Sequence, residues 1–314
     1  MIPPLAFVTR LDVEEEQTWL EILRRAMPEE RILPFRDLTG EERRLAEIAI
    51  VANPDPADVA ALSGLSWIHS LWAGVERLVL ELGVTAPPIV RLVDPELSRV
   101  MGEAVLAWTY YLQRDMPAYR VSQAEKRWAP RDYRHPSEIT VGLLGMGALG
   151  SEAARRLMDA GFRVQGWSRS RKDLAEIVTL SGEDGLDTLL STSDITVCLL
   201  PLTVETRGLL NFERLKRMPE GASLINFARG AIIVADDLIR VLESGHLDHA
   251  VLDVFEREPL EASSPFWTHP KVTVLPHISA PTTPSSAARI VAGNIAAWRR
   301  TGSLPQTVDR IRGY

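Results

Sequence analysis

Apolar residues in the first third of the chain form short continuous runs separated by segments of helical period. LAFVT (5–9) is strand-like. In 14–26 (EEEQTWLEILRRA), Trp19, Ile22 and Leu23 stand three and four apart, on one helical face. AEIAIVAN (46–53) is a second β-rich run and ends in Asn-Pro, a breaker. LSWIHSLWAGV (65–75) repeats the pattern, and PPIVRLVDPE (87–96) is another strand-like run stopped by Asp-Pro. Strands and helical segments alternate here, with no glycine-rich phosphate loop among them.

A long helical pattern follows over 97–114, with Val100, Met101, Ala104, Val105, Trp108 and Leu112 on one face. Residues 116–138 (MPAYRVSQAEKRWAPRDYRHPSE) are polar, Arg-rich and aromatic, show little period, and read as a loop or arm. From Ile139 the alternation becomes regular. ITVGLLGMG is a strand running into glycines, and 148–161 is helical and closes on Gly161. FRVQGWSR, SDITVCLLPL (193–202), GASLINFARG (221–230), DHAVLDVFE (248–256) and KVTVLPHIS (271–279) are further strand runs, and 285–302 is an amphipathic helix. Near-continuous Val/Ile/Leu strands belong in a parallel sheet covered on both faces, so the class expected is α/β.

Composition adds limits. At 314 residues the chain suggests two domains. No apolar run approaches the roughly 18 residues of a membrane helix. The N-terminal MIPPLAFVTRLDVEEEQ has neither a basic n-region nor a small-residue cleavage site, so no secretory leader is expected. Cys198 is the only cysteine, which excludes an internal disulfide and a multi-cysteine zinc site and suits a reducing compartment, the cytoplasm. The net charge of −7 with scattered Lys and Arg argues against nucleic acid as a partner.

The strongest local signal is G-x-G-x-x-G at Gly145, Gly147 and Gly150. Such a motif has meaning when it follows an apolar strand and opens a helix, as here. Gly145 allows the tight turn, Gly147 lets backbone approach a pyrophosphate, and Gly150 lets helix pack on strand. The plainer reading is a glycine-rich turn without a ligand. NAD-binding folds usually place an acid about 20 residues further on, against the ribose hydroxyls. Residues 163–172 (RVQGWSRSRK) hold no acid, and Ser168, Arg169, Arg171 and Lys172 follow the strand. Guanidinium groups bind a 2′-phosphate that a carboxylate repels, so the sequence favours NADP(H), with NAD(H) weaker.

Arg229, Glu258 and His277 fall at the ends of three strand runs, where open α/β sheets bind ligands. Arg grips a carboxylate, His exchanges a proton near neutral pH, and Glu favours the charged form of His. Singly, each has a bland reading as a turn or packing residue. Order and context favour the chemical one.

These residues carry a resemblance to the D-2-hydroxyacid dehydrogenases and, within them, to the bacterial A-type glyoxylate/hydroxypyruvate reductases. It covers nearly the whole chain: LWAGV (71–75), RLVDPELSRVMGE (91–103), GLLGMGALG (142–150), WSRSRK (167–172), LPLT (200–203), NFARG (226–230), DVFEREPL (253–260) and PHISA (276–280). The resemblance implies two Rossmann-like domains with doubly wound parallel sheets and an active site in the cleft between them. Residues 1–96 plus 283–314 would bind substrate, 97–282 would bind the dinucleotide, and the arm near 116–138 would join a homodimer. It assigns catalysis to Arg229, Glu258 and His277, taking the acid before proline rather than Glu256. It places substrate against Trp72, Ala73, Gly74 and Arg229. The cofactor contacts it implies are Gly145, Met146, Gly147, Ala148, Leu149, Gly150, Trp167, Ser168, Arg169, Ser170, Arg171, Leu200, Pro201, Thr206, Phe227, Ala228, Asp253 and His277, with no metal. Trp72 is expected to wall the pocket, and Trp267 to pack in the core. The activity implied is NADPH-dependent reduction of a small 2-oxo acid. A formate or phosphite dehydrogenase, or a dinucleotide-sensing interaction protein like the related corepressors, are the other readings of the same scaffold.

Overall fold

A computed structural model describes residues 3–170, 172–174 and 177–310. In chain order the first elements are β1 (Leu5–Thr9), α1 (Val13–Ala26), β2 (Ile32–Pro34), α2 (Gly40–Leu45), β3 (Ile48–Ala52), α3 (Pro56–Ala60), β4 (Trp67–Ser70), α4 (Glu76–Leu82) and β5 (Ile89–Val90). They are followed by α5 (Pro95–Gln113), α6 (Met116–Ala124), β6 (Thr140–Leu144), α7 (Ala148–Asp159), β7 (Arg163–Trp167), β8 (Val178–Leu180), α8 (Gly182–Thr192) and β9 (Ile195–Cys198). The last are α9 (Phe212–Arg217), β10 (Ala222–Asn226), α10 (Ala235–Glu243), β11 (Leu247–Leu252), β12 (Val272–Val274) and α11 (Pro284–Thr301).

The chain divides into two compact units, Met1–Glu96 with Thr282–Tyr314, and Leu97–Pro281. The first holds a parallel sheet in the order β2-β1-β3-β4-β5. Side chains alternate across it. Leu5, Phe7, Ile48, Ile50 and Trp67 pack with α1 and α11, through Trp19, Leu23, Val291 and Ile295. Ala6, Val8, Ala49, Val51 and Ile68 face the other way, onto Val59, Leu62 and Leu78. Burying each large aliphatic side chain contributes roughly 1.5–3 kcal/mol, so both faces drive the fold.

The second unit holds a parallel sheet in the order β12-β11-β10-β9-β6-β7-β8. Val141, Leu143, Ile195, Val197, Ile225 and Val251 pack under α5 and α7, against Met101, Val105, Ala153 and Leu157. Leu144, Cys198, Leu224 and Ala250 face Leu189, Leu190, Leu238 and Val241 of α8 and α10. Strand order reverses between β6 and β9, and the crevice beyond the carboxyl ends of such strands is where doubly wound sheets bind ligands. The architecture is α/β, with two doubly wound parallel sheets. Among the described residues no helix is long and apolar enough to cross a membrane.

Several segments differ from the sequence reading. The 116–138 stretch is not loop throughout: α6 occupies Met116–Ala124, and a single 3-10 turn spans Pro136–Glu138. No residue of α6 is buried, so it shows none of the apolar period that marks a helix. The strand expected over 87–96 is only Ile89–Val90. Its Asp-Pro stop is a helix start, where Asp94 accepts a hydrogen bond from the Glu96 N–H at 2.8 Å and Pro95 opens α5.

Candidate active site

The glycine turn between β6 and α7 has the shape of an anion cradle. Gly145 has φ +110°, and a Cβ there would stand 2.8 Å from the Leu199 carbonyl oxygen. A Cβ on Gly150 would stand 1.9 Å from the Gly145 carbonyl oxygen, so only glycine lets α7 seat on the turn. Gly147 differs: a Cβ there meets nothing within 4 Å. It is the N-cap of α7, where no side chain caps the first turn and no acidic residue occupies it. Amide N–H groups there favour an anion. Met146 is buried, with its sulfur packed over Gly166, and Leu149 is half-buried, while Gly147 and Ala148 are exposed. The residues present fit a dinucleotide pyrophosphate.

At the end of β7 the Trp167 indole is buried and its Nε1 donates to the Gly182 carbonyl at 2.9 Å, leaving only its main chain for a ligand. Ser168 donates through Oγ to the Ser170 carbonyl at 2.8 Å, which closes a turn presenting exposed Arg169 and Ser170. Arg171 lies outside the described residues. After β9, Thr206 Oγ1 donates to the Pro201 carbonyl at 2.7 Å and accepts from the Thr203 N–H at 2.7 Å, a closed turn next to buried Leu200. Glu205 on that turn is held below the usual carboxylate range by the Thr203 hydroxyl and its own backbone N–H, and the Arg169 charge acts in the same direction against burial.

Three strand ends lead to the candidate catalytic groups. Beyond β10, Phe227 and Ala228 are buried and Arg229 is half-buried, its Nη1 donating to the Ala228 carbonyl at 2.7 Å. A Cβ on Gly230 would stand 2.0 Å from the Phe255 carbonyl carbon, so glycine lets the Arg229 turn lie against the backbone that leads to Glu258. Glu258 Oε1 accepts from the Phe255 N–H at 2.8 Å, and Oε2 lies 2.7 Å from His277 Nδ1. A carboxylate only accepts, so Nδ1 carries the proton and Nε2 is the ring's other face.

His277 sits at φ +55°, a left-handed conformation that costs a non-glycine residue roughly 1–2 kcal/mol. Asp253 holds that turn. Its carbonyl accepts the His277 N–H at 2.9 Å, and its buried carboxylate accepts the Ile278 and Ser279 N–H groups at 2.8 and 2.9 Å. The bond from Glu258 raises the His277 pKa, with the Glu258 and Asp253 charges adding to it, against burial and the Arg229 charge. Burial by itself would raise Glu258, but the His277 and Phe255 bonds and the charges of His277 and Arg229 hold it below the usual range. Each partner thus favours the charged form of the other. The His277 side chain is 52% exposed and Glu258 34%, open enough to meet a substrate.

In the first unit, the Trp72 N–H donates to Ser70 Oγ at 3.0 Å, and its ring meets Trp19 edge-on at 5.8 Å. Ala73 and Gly74 are half-buried beside it. Trp267 is not a core residue as expected. It is 50% exposed, because its indole Nε1 turns back to the Glu261 carbonyl at 2.9 Å within its own loop. The sequence reading passed over Asn226, the last residue of β10. Its amide accepts the Ala228 N–H and donates to the Arg229 carbonyl, each at 3.1 Å. An Asn two and three residues ahead of a turn is the available signal.

A sheet of this order binds dinucleotides at its switch point, and a hydrogen-bonded histidine–carboxylate pair stands beyond the ends of its strands. Together they define the class of nicotinamide-dinucleotide dehydrogenases. The model for the D-isomer specific 2-hydroxyacid dehydrogenase NAD binding domain matches residues 106–279, and the chain belongs to this family of oxidoreductases. It is similar over 100% of both chains to a D-isomer specific 2-hydroxyacid dehydrogenase from Xanthobacter autotrophicus, solved with NADPH and MES, at 37% identity and a TM-score of 0.92. The NADPH-dependent glyoxylate/hydroxypyruvate reductase of Sinorhizobium meliloti, solved with NADP and sulfate, is 33% identical over 99% of both chains, with a TM-score of 0.88. A probable 2-hydroxyacid dehydrogenase from Rhizobium etli, solved with NADP, HEPES and L(+)-tartaric acid, is 32% identical over 100% of both chains, at 0.90.

Proposed function

We propose that the protein reduces a small 2-oxo acid, glyoxylate or hydroxypyruvate, to the 2-hydroxy acid with NADPH. The observation that carries the reading is the 2.7 Å bond between His277 Nδ1 and Glu258 Oε2, which keeps a proton available at a strand end. The similar protein from Sinorhizobium meliloti is an NADPH-dependent glyoxylate/hydroxypyruvate reductase. The Leu97–Pro281 unit binds the dinucleotide, with its pyrophosphate on the Gly145–Gly150 turn. The carboxylate-free turn after β7 favours the 2′-phosphate, which Arg169 and Arg171 bind. When bound there, the cofactor would supply the hydride for the C2 carbonyl carbon.

The chain's own groups do the rest. Arg229 grips the substrate carboxylate through its planar fork. His277 gives its proton to the carbonyl oxygen as negative charge develops, and Arg229 stabilises that charge. Glu258 holds the imidazole in its proton-donating form. Leu200, Pro201, Thr206, Phe227, Ala228 and Asp253 would contact the dinucleotide. The working form is a cytoplasmic homodimer joined through the 116–138 arm, where Met116, Tyr119, Val121, Trp128 and Tyr133 are exposed.

NADPH oxidation assayed with glyoxylate and hydroxypyruvate tests the reading, alongside NAD(P)⁺ reduction with formate and phosphite. Turnover with the 2-oxo acids is expected. A protein that binds NADPH but turns over none of these compounds would be the dinucleotide-sensing type.

A further inference from the structure

We propose that Asn226 and Asp253 are positioning residues: Asn226 sets Arg229 for the substrate carboxylate, and Asp253 sets His277 for proton transfer. This rests on the reading above and deepens it. The two residues occupy adjacent strand ends, just where β10 and β11 stop, and are joined by the Asp253 N–H donating to the Asn226 carbonyl at 3.1 Å. Asn226 is 1% exposed and Asp253 2%. Polar groups so buried are costly unless bonded, and each bonds to the turn of one reactive side chain.

Residue type matches the demand of each turn. The Arg229 turn offers one N–H, from Ala228, and one carbonyl, from Arg229 itself. An amide side chain meets both, accepting on its oxygen and donating from its nitrogen. The His277 turn offers two N–H groups, from Ile278 and Ser279, which a carboxylate takes on separate oxygens. An amide would satisfy one and set its own N–H against the other. The Asp253 carbonyl takes a third N–H, from His277, and these three bonds support the left-handed φ of +55° at that residue. Arg229 and His277 thus hang from one buried pair of strand ends, and their spacing is set inside the sheet rather than by exposed loops. The charged groups acting on the imidazole are Glu258, Arg229 and Asp253, so Asp253 influences it through charge as well as backbone.

Two variants separate the roles. Losing the Asn226 amide removes two neutral hydrogen bonds, so Asn226→Ala should raise KM for the 2-oxo acid, and weaken oxalate binding, by about tenfold. Its kcat should stay within about threefold and its KM for NADPH within about twofold. Asp253→Asn should show the opposite split. Its kcat should fall about tenfold or more, oxalate affinity should change little, and the alkaline limb of the rate profile should move to lower pH.

Nuclear magnetic resonance on the coenzyme-free protein gives a readout independent of turnover. His277 should titrate at lower pH in Asp253→Asn, and the Arg229 Nε–Hε signal should shift in Asn226→Ala alone. Asn226→Ser carries the first arm if the alanine variant does not fold. Equal losses of kcat and oxalate affinity in both variants, or spectra in which neither signal moves, would overturn the proposal. A wild-type protein inert to every 2-oxo acid would instead overturn the functional reading, while the spectra still judged the positioning.

Discussion

β1 and β6 each lead from a parallel sheet into a helix at the point where strand order reverses, and the two junctions have opposite chemistry. After β1, Asp12 caps α1 by accepting the Glu15 N–H at 2.9 Å, and Glu14, Glu15 and Glu16 fill the first turn. After β6, Gly147 caps α7 with no side chain and no acid nearby. A helix N-terminus carries about half a positive charge, which the first junction neutralises with its own carboxylates and the second leaves for a ligand. Histidines at strand ends repeat the contrast. His69, next to last in β4, is buried between the Ser70 carbonyl and the Asn294 amide, each 2.9 Å away, and burial pushes its pKa down to about 4. His277 is half-exposed, faces a carboxylate, and is raised. Topology offers a site in both sheets; the residues at the helix start and strand end decide which one serves chemistry.

That contrast can be broken by substitution. The largest effect expected is from His277→Ala: a positioned acid contributes on the order of 10²–10⁴ in rate, so kcat should fall by that much with the NADPH affinity retained. Steady-state kinetics and coenzyme titration check both halves.

Next is Gly147→Asp, which gives the second junction the cap of the first. Gly147 has φ −79° and ψ −164°, ordinary for aspartate, and space for a Cβ, so the variant should fold with unchanged or higher Tm. The carboxylate beside the pyrophosphate should weaken NADPH binding on the order of 10²–10³-fold. Calorimetry gives the affinity, and near-wild-type binding would show that the dinucleotide lies elsewhere.

Arg169→Ala should raise KM for NADPH at least about tenfold, the loss of a charged hydrogen bond, and KM for NADH far less. Equal losses would mean that Arg169 does not read the 2′-phosphate. The smallest effect belongs to the first junction. Asp12→Ala should cost about 1 kcal/mol of stability in denaturant titration and leave coenzyme kinetics alone.

What the sequence shows depends on how local the cause is. G-x-G-x-x-G after an apolar run marks a turn whose need for glycine is written in adjacent residues. The strand-end positions of Arg229 and His277 follow from runs of Val, Ile and Leu that stop just before them. The pairing of His277 with Glu258, 19 positions apart, depends on two loops meeting and emerges as a distance only in the fold. α6 is invisible to periodicity because none of its residues is buried, and β2 and β8, of three residues each, are too short to alternate. Trp267 misleads because an aromatic among apolar neighbours suggests a core, whereas its indole bonds within a surface loop. The work of Asn226 lies in backbone bonds that no side-chain pattern reports.

The pH dependence of kcat/KM for the 2-oxo acid, compared between wild type and Glu258→Gln, tests the central claim most directly. In the proposed mechanism reduction requires protonated His277, so the rate should fall as pH rises through its pKa. Glu258 raises that pKa, and wild type should therefore hold its rate to a pH above the reference of about 6.5. Glutamine can keep a hydrogen bond to Nδ1 but not the charge, so the alkaline limb should move to lower pH. An isotope effect with deuterated NADPH confirms that chemistry limits the rate. An alkaline limb at the same pH in both enzymes would contradict the assignment of His277 and Glu258 as the proton-donating pair.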